Sequence, residues 1–300
     1  MKKMVALLIS VGLSCLLQAQ KLPKSAIVYM NAASLTLIGQ AFPLNSFHRI
    51  DTAEYPGFPP AVKRLLTHAS GLAVCFNTNS PRIAAKWCVT SSRQGNNMAA
   101  IVNKGLDLYI KLNGKWVFAG VGRPAAECNE SVIVQNMDNS EKECLLYLPL
   151  YDEVKSLSVG VDSGNRITPG KDPFTKMRVL VYGSSITQGA SASRPGMAYP
   201  ARLSRETGMQ FLNLGLSGNG KMEKEVADMV AEVRADAFVL DCFANPSPEQ
   251  ITERTAYLVK KIREKHPHAP IIMIQSVVRE AGNFDTVIRK MVSRQNENTL

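Results

Sequence analysis

The 300-residue sequence has no apolar run long enough to cross a bilayer. Its one sustained hydrophobic stretch, Met4 to Leu17, falls short of the roughly 20 residues that a spanning helix needs. It also has no basic stripe. The formal charge is +10, but the bases are scattered among acids, as in Lys260-Lys261 and Arg263-Glu264-Lys265, so nothing tracks a phosphate backbone and nucleic acid is not an expected partner. No two cysteines form a CxxC pair, which argues against a zinc ribbon or a thioredoxin-like redox motif. The Gly-rich stretch Gly215 to Gly220 lacks the early strand and suitably spaced acid of a dinucleotide fingerprint. No metal or organic cofactor is implied.

At the beginning, Lys2 and Lys3 precede the apolar run, and Gln18-Ala19-Gln20 follows it. A charged start, a short hydrophobic core and a small residue read as a signal peptide, residues 1–19, cut near Ala19, with a short membrane anchor as the alternative. Cys15 lacks the small-residue context of a lipid-attachment site. The mature protein is then expected to be periplasmic or secreted, with no membrane partner. It would keep Cys75, Cys88, Cys128, Cys144 and Cys242, an odd set that leaves at least one thiol unpaired unless it bonds between chains. Oligomeric state is not readable.

Residues 20–170 read as a β-sandwich domain. Gly71 to Phe76, Ile83 to Thr90, Leu106 to Leu112, Lys115 to Gly120, Ser131 to Val134, Cys144 to Leu148 and Ser156 to Val161 are short apolar or alternating runs bounded by turn residues. Asn113-Gly114 favours positive φ at both positions and predicts a tight hairpin. The turn-rich segment Asp162 to Pro173 is the best domain boundary.

Residues 171–300 alternate strands with helices. Val179 to Tyr182 leads to a helix at Tyr199 to Thr207, Gln210 to Leu214 to one at Glu223 to Arg234, and Ala237 to Cys242 to one at Pro248 to Lys265. Ile271 to Val277 leads to a last helix near Asp285 to Arg294. Successive βα units require parallel strands, hence an α/β fold with a doubly wound, flavodoxin-like parallel sheet whose strand-to-helix loops share one edge.

Three of those loops carry chemistry. The first delivers Ser185 from a β-branched strand to a helix start, where free N–H groups and the helix dipole stabilise developing negative charge. Ser185 with Gln188 also has the spacing of a capping box. The second, Asn213 to Gly220, brings a close-approach backbone N–H at Gly218. The third, Asp241 to Pro246, offers the Asn245 amide, although an Asn before Pro is also a common turn residue. Together they are the nucleophile and donors that an acyl-transfer site needs.

At these residues the sequence resembles the SGNH (GDSL-type) hydrolases. Gly183-Ser184-Ser185-Ile186-Thr187-Gln188-Gly189, the continuation Ala192 to Pro200, the Gly218 loop and Asn245 look like the first three blocks of that superfamily. Gly105-Leu106-Asp107-Leu108-Tyr109 and Leu146 to Tyr151 resemble the small β-domain that precedes the catalytic domain in a group of exported esterases. The resemblance implies Ser185 as nucleophile, with an oxyanion hole from its own N–H, the Gly218 N–H and the Asn245 side chain. It also implies an acylated small molecule or polysaccharide as substrate, most plausibly an acetylated carbohydrate. Asp107 and Tyr109 either merely pack or bond within the sandwich or serve a carbohydrate-binding face, which exposure of Trp87 or Trp116 would support. Ser184 replaces the usual Asp of the family motif.

The family's histidine, from an Asp-x-x-His block after the fifth strand, is missing. His266 and His268 precede strand Ile271 to Val277, so seven residues at ~3.3 Å each put them roughly 20 Å from Ser185. His48 and His68 belong to the first domain, and only an unusual domain contact would bring either close. Asp241, Glu280 and Asp285 sit near the right edge to orient a base or bind substrate. Two expectations follow. One is an ester hydrolase whose last strand and helix lie beyond this chain, so that these 300 residues turn over esters slowly or not at all; the other is a catalytically inactive carbohydrate-binding protein.

Overall fold

The computed structural model describes residues 26–276. The signal segment, Glu280, Asp285 and the expected last helix lie outside those residues. In chain order the elements are β1 (Ile27–Asn31), β2 (Thr36–Ile38), α1 (Pro60–Thr67), β3 (Ala73–Thr78), β4 (Ile83–Val89), α2 (Ala100–Lys104), β5 (Leu106–Leu112), β6 (Lys115–Gly122), β7 (Cys128–Val134), β8 (Lys142–Tyr147), β9 (Val154–Asp162), β10 (Ile167–Pro169), β11 (Arg178–Gly183), α3 (Ser185–Gln188), α4 (Tyr199–Thr207), β12 (Gln210–Gly215), α5 (Lys224–Glu232), β13 (Ala237–Asp241), α6 (Pro248–Lys265) and β14 (Ile271–Met273).

The first half forms two antiparallel sheets. One has the order β1-β9-β4-β7; the other runs β10-β3-β8-β5-β6, with β2 beside β3. Alternation in β5 explains how they meet. Leu106, Leu108 and Ile110 enter the core between the sheets with Phe76, Trp87, Leu146 and Val159, which sends Asp107 and Tyr109 to the opposite face. The β5–β6 turn uses positive φ at Asn113 and Gly114, as the Asn-Gly pair requires. Segment Asp162 to Pro173 is more than a linker, because Ile167–Pro169 pairs with β3 as an edge strand. Cys88 and Cys128 face each other across β4 and β7 and are disulfide-bonded, closing 40 residues of chain, a constraint worth about 4 kcal/mol by loop-closure entropy. Cys75, Cys144 and Cys242 are buried free thiols.

The second half is a parallel sheet in the order β12-β11-β13-β14. The chain steps from β11 out to β12 and then crosses back to β13, so the switch point of this doubly wound order falls beside β11. Leu180 and Tyr182 face a core shared with α5 and α6, while Val179 and Val181 face the other way, toward Tyr199 at the start of α4.

Residues 41–66 depart from the sandwich to which their position in the chain assigned them. Ala41, Ile50, Phe58, Val62, Leu65 and Leu66 are buried in the core of the parallel sheet, against Leu212, Leu214 and Val226. Pro60 starts α1, where its missing N–H and fixed φ cost nothing. Arg49, fully buried, fastens this segment. Its guanidinium donates to the carbonyls of Leu65 and His68 on one side and of Asn213 and Gly215 on β12 on the other, at 2.6–3.0 Å. On the other side of the parallel sheet, α4 lies against the outer face of the six-stranded sheet, where Ala201 packs with Tyr109, Leu145 and Tyr147. Among the described residues no helix is long and apolar enough to cross a membrane.

Candidate active site

Gly183 ends β11 in register with Gly215 of β12 on one side and Asp241 of β13 on the other. The three following loops therefore leave the sheet at one level. Ser184, not Ser185, is the helix N-cap: its buried Oγ accepts from the Ile186 N–H at 3.2 Å. The expected capping box of Ser185 with Gln188 is absent because two adjacent hydroxyls compete for one cap position and the extended backbone falls at Ser184. Ser185 becomes the first helical residue. Among the described residues its hydroxyl makes no hydrogen bond, and it opens into a cleft of ≈ 560 Å³ lined also by Asn97, Ile186, Ala190, Met197 and Tyr199.

The residues after Ser185 hold it in place. Thr187 Oγ1 donates to Asp241 Oδ2 at 2.7 Å, and the Tyr199 hydroxyl donates to the same oxygen at 2.9 Å. Burial raises the Tyr199 phenol well above its ordinary range, so it remains a donor. Asn213 on β12 donates to the Thr187 carbonyl at 2.8 Å. Gly215 permits this approach, since a Cβ there would overlap the Gln188 backbone. Asp241 thus acts on the α3 turn and makes no hydrogen bond to any histidine among the described residues.

Gln188 is the hub. Its Oε1 accepts from the Ser217 N–H at 2.9 Å, which fixes the amide so that Nε2 faces the Leu150 carbonyl at 2.9 Å and His68 Nδ1 at 3.3 Å. One side chain therefore joins the Ser185 helix, the Gly218 loop and the first domain. Gly218, exposed with φ +69°, leaves its N–H without a partner among the described residues. Asn245 Nδ2 donates to the Asn219 carbonyl at 2.7 Å, tying the third loop to the second. Asn245 is placed just ahead of α6, whose start is fixed by a reciprocal Ser247–Gln250 capping box. The fold brings Ser185, Gly218 and Asn245 onto three adjacent strand ends.

None of the four histidines bonds to Ser185. His266 Nε2 lies 3.0 Å from the Ala231 carbonyl, and His268 is exposed in the turn before β14, both at the far edge of the sheet. His48 pairs with Glu153. His68 is the unexpected one, because α1 carries it into the interface beside Gln188. The Gln188 amide nitrogen can only donate, so His68 Nδ1 accepts and the ring is neutral with its proton on Nε2. Burial, then the Arg49 and Arg64 cations, push its pKa down to about 3.

The Tyr109 ring packs edge-on against Phe118 and Tyr147 within the sandwich, but the side-chain hydrogen bonds of Asp107 and Tyr109 go outside it. Asp107 Oδ2 accepts from the Gly196 N–H at 2.8 Å, and the Tyr109 hydroxyl accepts from Arg194 at 3.3 Å. Trp87 is buried, with its indole N–H on the Lys104 carbonyl, so it forms no open binding face; Trp116 is half-buried. The sequence reading missed Thr187, Tyr199, Asn213 and Arg49. Thr187 stands inside the recognised motif, but its partner Asp241 is 54 residues away and no local pattern connects them. Among the described residues no cluster of three or more His, Cys, Asp or Glu forms a metal site.

This arrangement of strand-end loops is matched by the comparisons with known proteins, which place the chain among the SGNH-type hydrolases. Residues 176–299 match the GDSL-like lipase/acylhydrolase family, and residues 27–167 match the GxDLY domain, the N-terminus of SGNH-hydrolase-type esterases. A crystal structure described as a GDSL-like lipase from Bacteroides ovatus ATCC 8483 is 58% identical, covers 91% of this chain and 81% of its own, and superposes with a TM-score of 0.86. The chain belongs to the GDSL-like lipase/acylhydrolase family. More distant structures share the fold: the salicylyl-acyltransferase SsfX3 of a tetracycline biosynthetic pathway (17% identity, 92% and 83% coverage, TM-score 0.62) and an acetyl xylan esterase, Est2A, from Butyrivibrio proteoclasticus (13%, 91% and 87%, 0.51). Curated protein sequences give no match.

Proposed function

We propose that the protein is a serine ester hydrolase that removes acyl groups, acetyl above all, from a carbohydrate or polysaccharide in the periplasm or outside the cell. The observation that carries this reading is the Ser185 hydroxyl, unbonded at the start of a helix and open to a cleft, with the Gly218 N–H and the Asn245 amide on the two flanking strand ends. Ser185 Oγ attacks the ester carbonyl and its proton passes to a base. The oxyanion is held by the N–H groups of Ser185 and Gly218 and by Asn245, the alcohol leaves protonated, and water cleaves the acyl-enzyme. The carbohydrate assignment draws support from Est2A, an acetyl xylan esterase, and from family-two carbohydrate esterases, including one in complex with cellohexaose, all of which share the fold. The Cys88–Cys128 disulfide and the leading segment support an oxidising, exported setting.

A second reading, an inactive carbohydrate-binding protein, is favoured by one observation: all four histidines are engaged elsewhere or far from Ser185. Added imidazole separates the two. Hydrolysis of p-nitrophenyl acetate is measured with and without imidazole, with Ser185→Ala as the blank, and acetate release from acetylated xylan is measured alongside. Turnover above the blank, or rescued by imidazole, supports the hydrolase. Rates equal to the blank under both conditions, together with retained binding of acetylated oligosaccharide, establish the second reading.

A further inference from the structure

The cleft beside Ser185 takes most of its lining from residues 189–199, yet the middle of that segment is held by the sandwich. Gly189 to Ala192 and Met197 to Tyr199 line the cleft. Between them, the 3-10 turn Pro195–Met197 is docked on β5. Asp107, with no exposed surface, accepts the Gly196 N–H, and the Arg194 guanidinium stands against its other oxygen at 3.3 Å. That guanidinium also donates to the Tyr109 hydroxyl and lies 4.2 Å from the Phe118 ring centroid. Gly196 has no room for a side chain, since a Cβ would meet Tyr109 Cε2 at 2.6 Å, Asp107 Oδ2 at 2.9 Å and Tyr147 Cδ2 at 3.0 Å.

A carboxylate sent outward from a sandwich into a dry interface costs desolvation that only such partners offset. Nothing in the sandwich core uses it. We propose that Asp107 and Arg194 are positioning residues of the Ser185 cleft: they fix the wall formed by residues 189–199, so that the sandwich governs how the acylated substrate is bound rather than how fast Ser185 reacts. This rests on the reading of Ser185 as the nucleophile.

The test uses the whole 300-residue chain and two readouts. In Asp107→Ala, hydrogen–deuterium exchange of the peptide spanning 189–199 is expected to quicken by about tenfold or more, while exchange in β3, β8 and β9 stays as in the wild type. KM for p-nitrophenyl esters is expected to rise about tenfold with kcat within about twofold. Asp107→Asn, whose side-chain oxygen still accepts from Gly196, should fall between Asp107→Ala and the wild type. If Asp107→Ala does not fold, Arg194→Gln carries the same expectation from the more exposed side of the pair. Unchanged exchange at 189–199 overturns the proposal, as does quickened exchange throughout the sandwich or a fall in kcat with KM unchanged. Exchange reports on the wall even where turnover is absent, so full activity in Ser185→Ala would remove the nucleophile without deciding this point.

Discussion

The carboxyl edge of the parallel sheet and the outward face of β5 both bury polar side chains, and they use them differently. At the sheet edge Thr187, Asn213, Tyr199 and Asp241 satisfy one another, and the Ser185 hydroxyl beside them is left unbonded. On β5, Asp107 and Tyr109 spend their bonds on Arg194 and Gly196 and face no open cleft. The first arrangement keeps the hydroxyl proposed as nucleophile free by occupying its neighbours. In the second, Asp107 Oδ1 and Arg194 Nε lie 3.3 Å apart as an ion pair without a hydrogen bond, but they are buried away from any cleft, which suits a mounting surface. A buried polar cluster marks a reaction centre only when one member lacks a partner and has access to space.

The sharpest way to break this contrast is at Ser185. With imidazole supplied as the base, Ser185→Ala is expected to remove the esterase activity above the imidazole background with the melting temperature unchanged, because among the described residues the Ser185 hydroxyl makes no hydrogen bond. Comparable activity in a p-nitrophenyl acetate assay would make the free hydroxyl incidental. Next in size, Arg49→Met should cost about 3 kcal/mol or more in urea unfolding. It strips a charged donor from four buried carbonyls, two of them on β12. Asn245→Ala should lower kcat by about 10²-fold, the size expected of an oxyanion donor, with little change in stability. An Asn245→Ala loss that appears only as instability would reduce the residue to a loop tie through Asn219.

The smallest effect is on acid stability, where the two regions oppose each other. His68 is pushed down to about 3, chiefly by burial, so on acidification the unfolded ring takes a proton that the folded ring refuses, and stability falls as pH drops from about 7 toward 3. Asp107 is pushed up to about 6 by burial, against the pull of Arg194. Its folded carboxyl takes the proton first, so its contribution is present at low pH and is lost as pH rises through 6. Between pH 7 and 5, His68 costs about 2 kcal/mol and Asp107 offsets a little over 1, leaving a net loss of about 1 kcal/mol or less. Asp107→Asn removes the offset and should steepen the loss to about 2 kcal/mol. An acid dependence no steeper than in the wild type would show that one of the two groups is not buried as described.

Much of this was legible in the sequence where the signal is local. The strand period and glycine punctuation located the three loops that carry Ser185, Gly218 and Asn245, and α4 and α6 begin and end where the pattern places them. The Asn113-Gly114 hairpin follows from φ preferences alone. What could not be read is the information that passes between distant segments. Alternation sets Asp107 opposite Leu106 and Leu108, but not that Gly196 waits there. The cap at Ser184 turns on one backbone angle between two equivalent hydroxyls. No pattern near Pro60 tells which sheet α1 will cover, and for that reason His68 was placed far from the site.

The seating of α1 has a consequence for the life history of the molecule. Val62 finds its packing partners only when Leu212 and Val226 exist, some 150 residues later in synthesis, a wait of roughly 8–30 s at ribosomal rates. Until then an apolar helix face and the Arg49 cation have nowhere to go, and the half-made sandwich is exposed to aggregation or in need of a chaperone. A gene fragment ending near residue 170 would inherit that predicament permanently. The two family segments should therefore melt in a single transition, and neither is a module to be cut out and used alone.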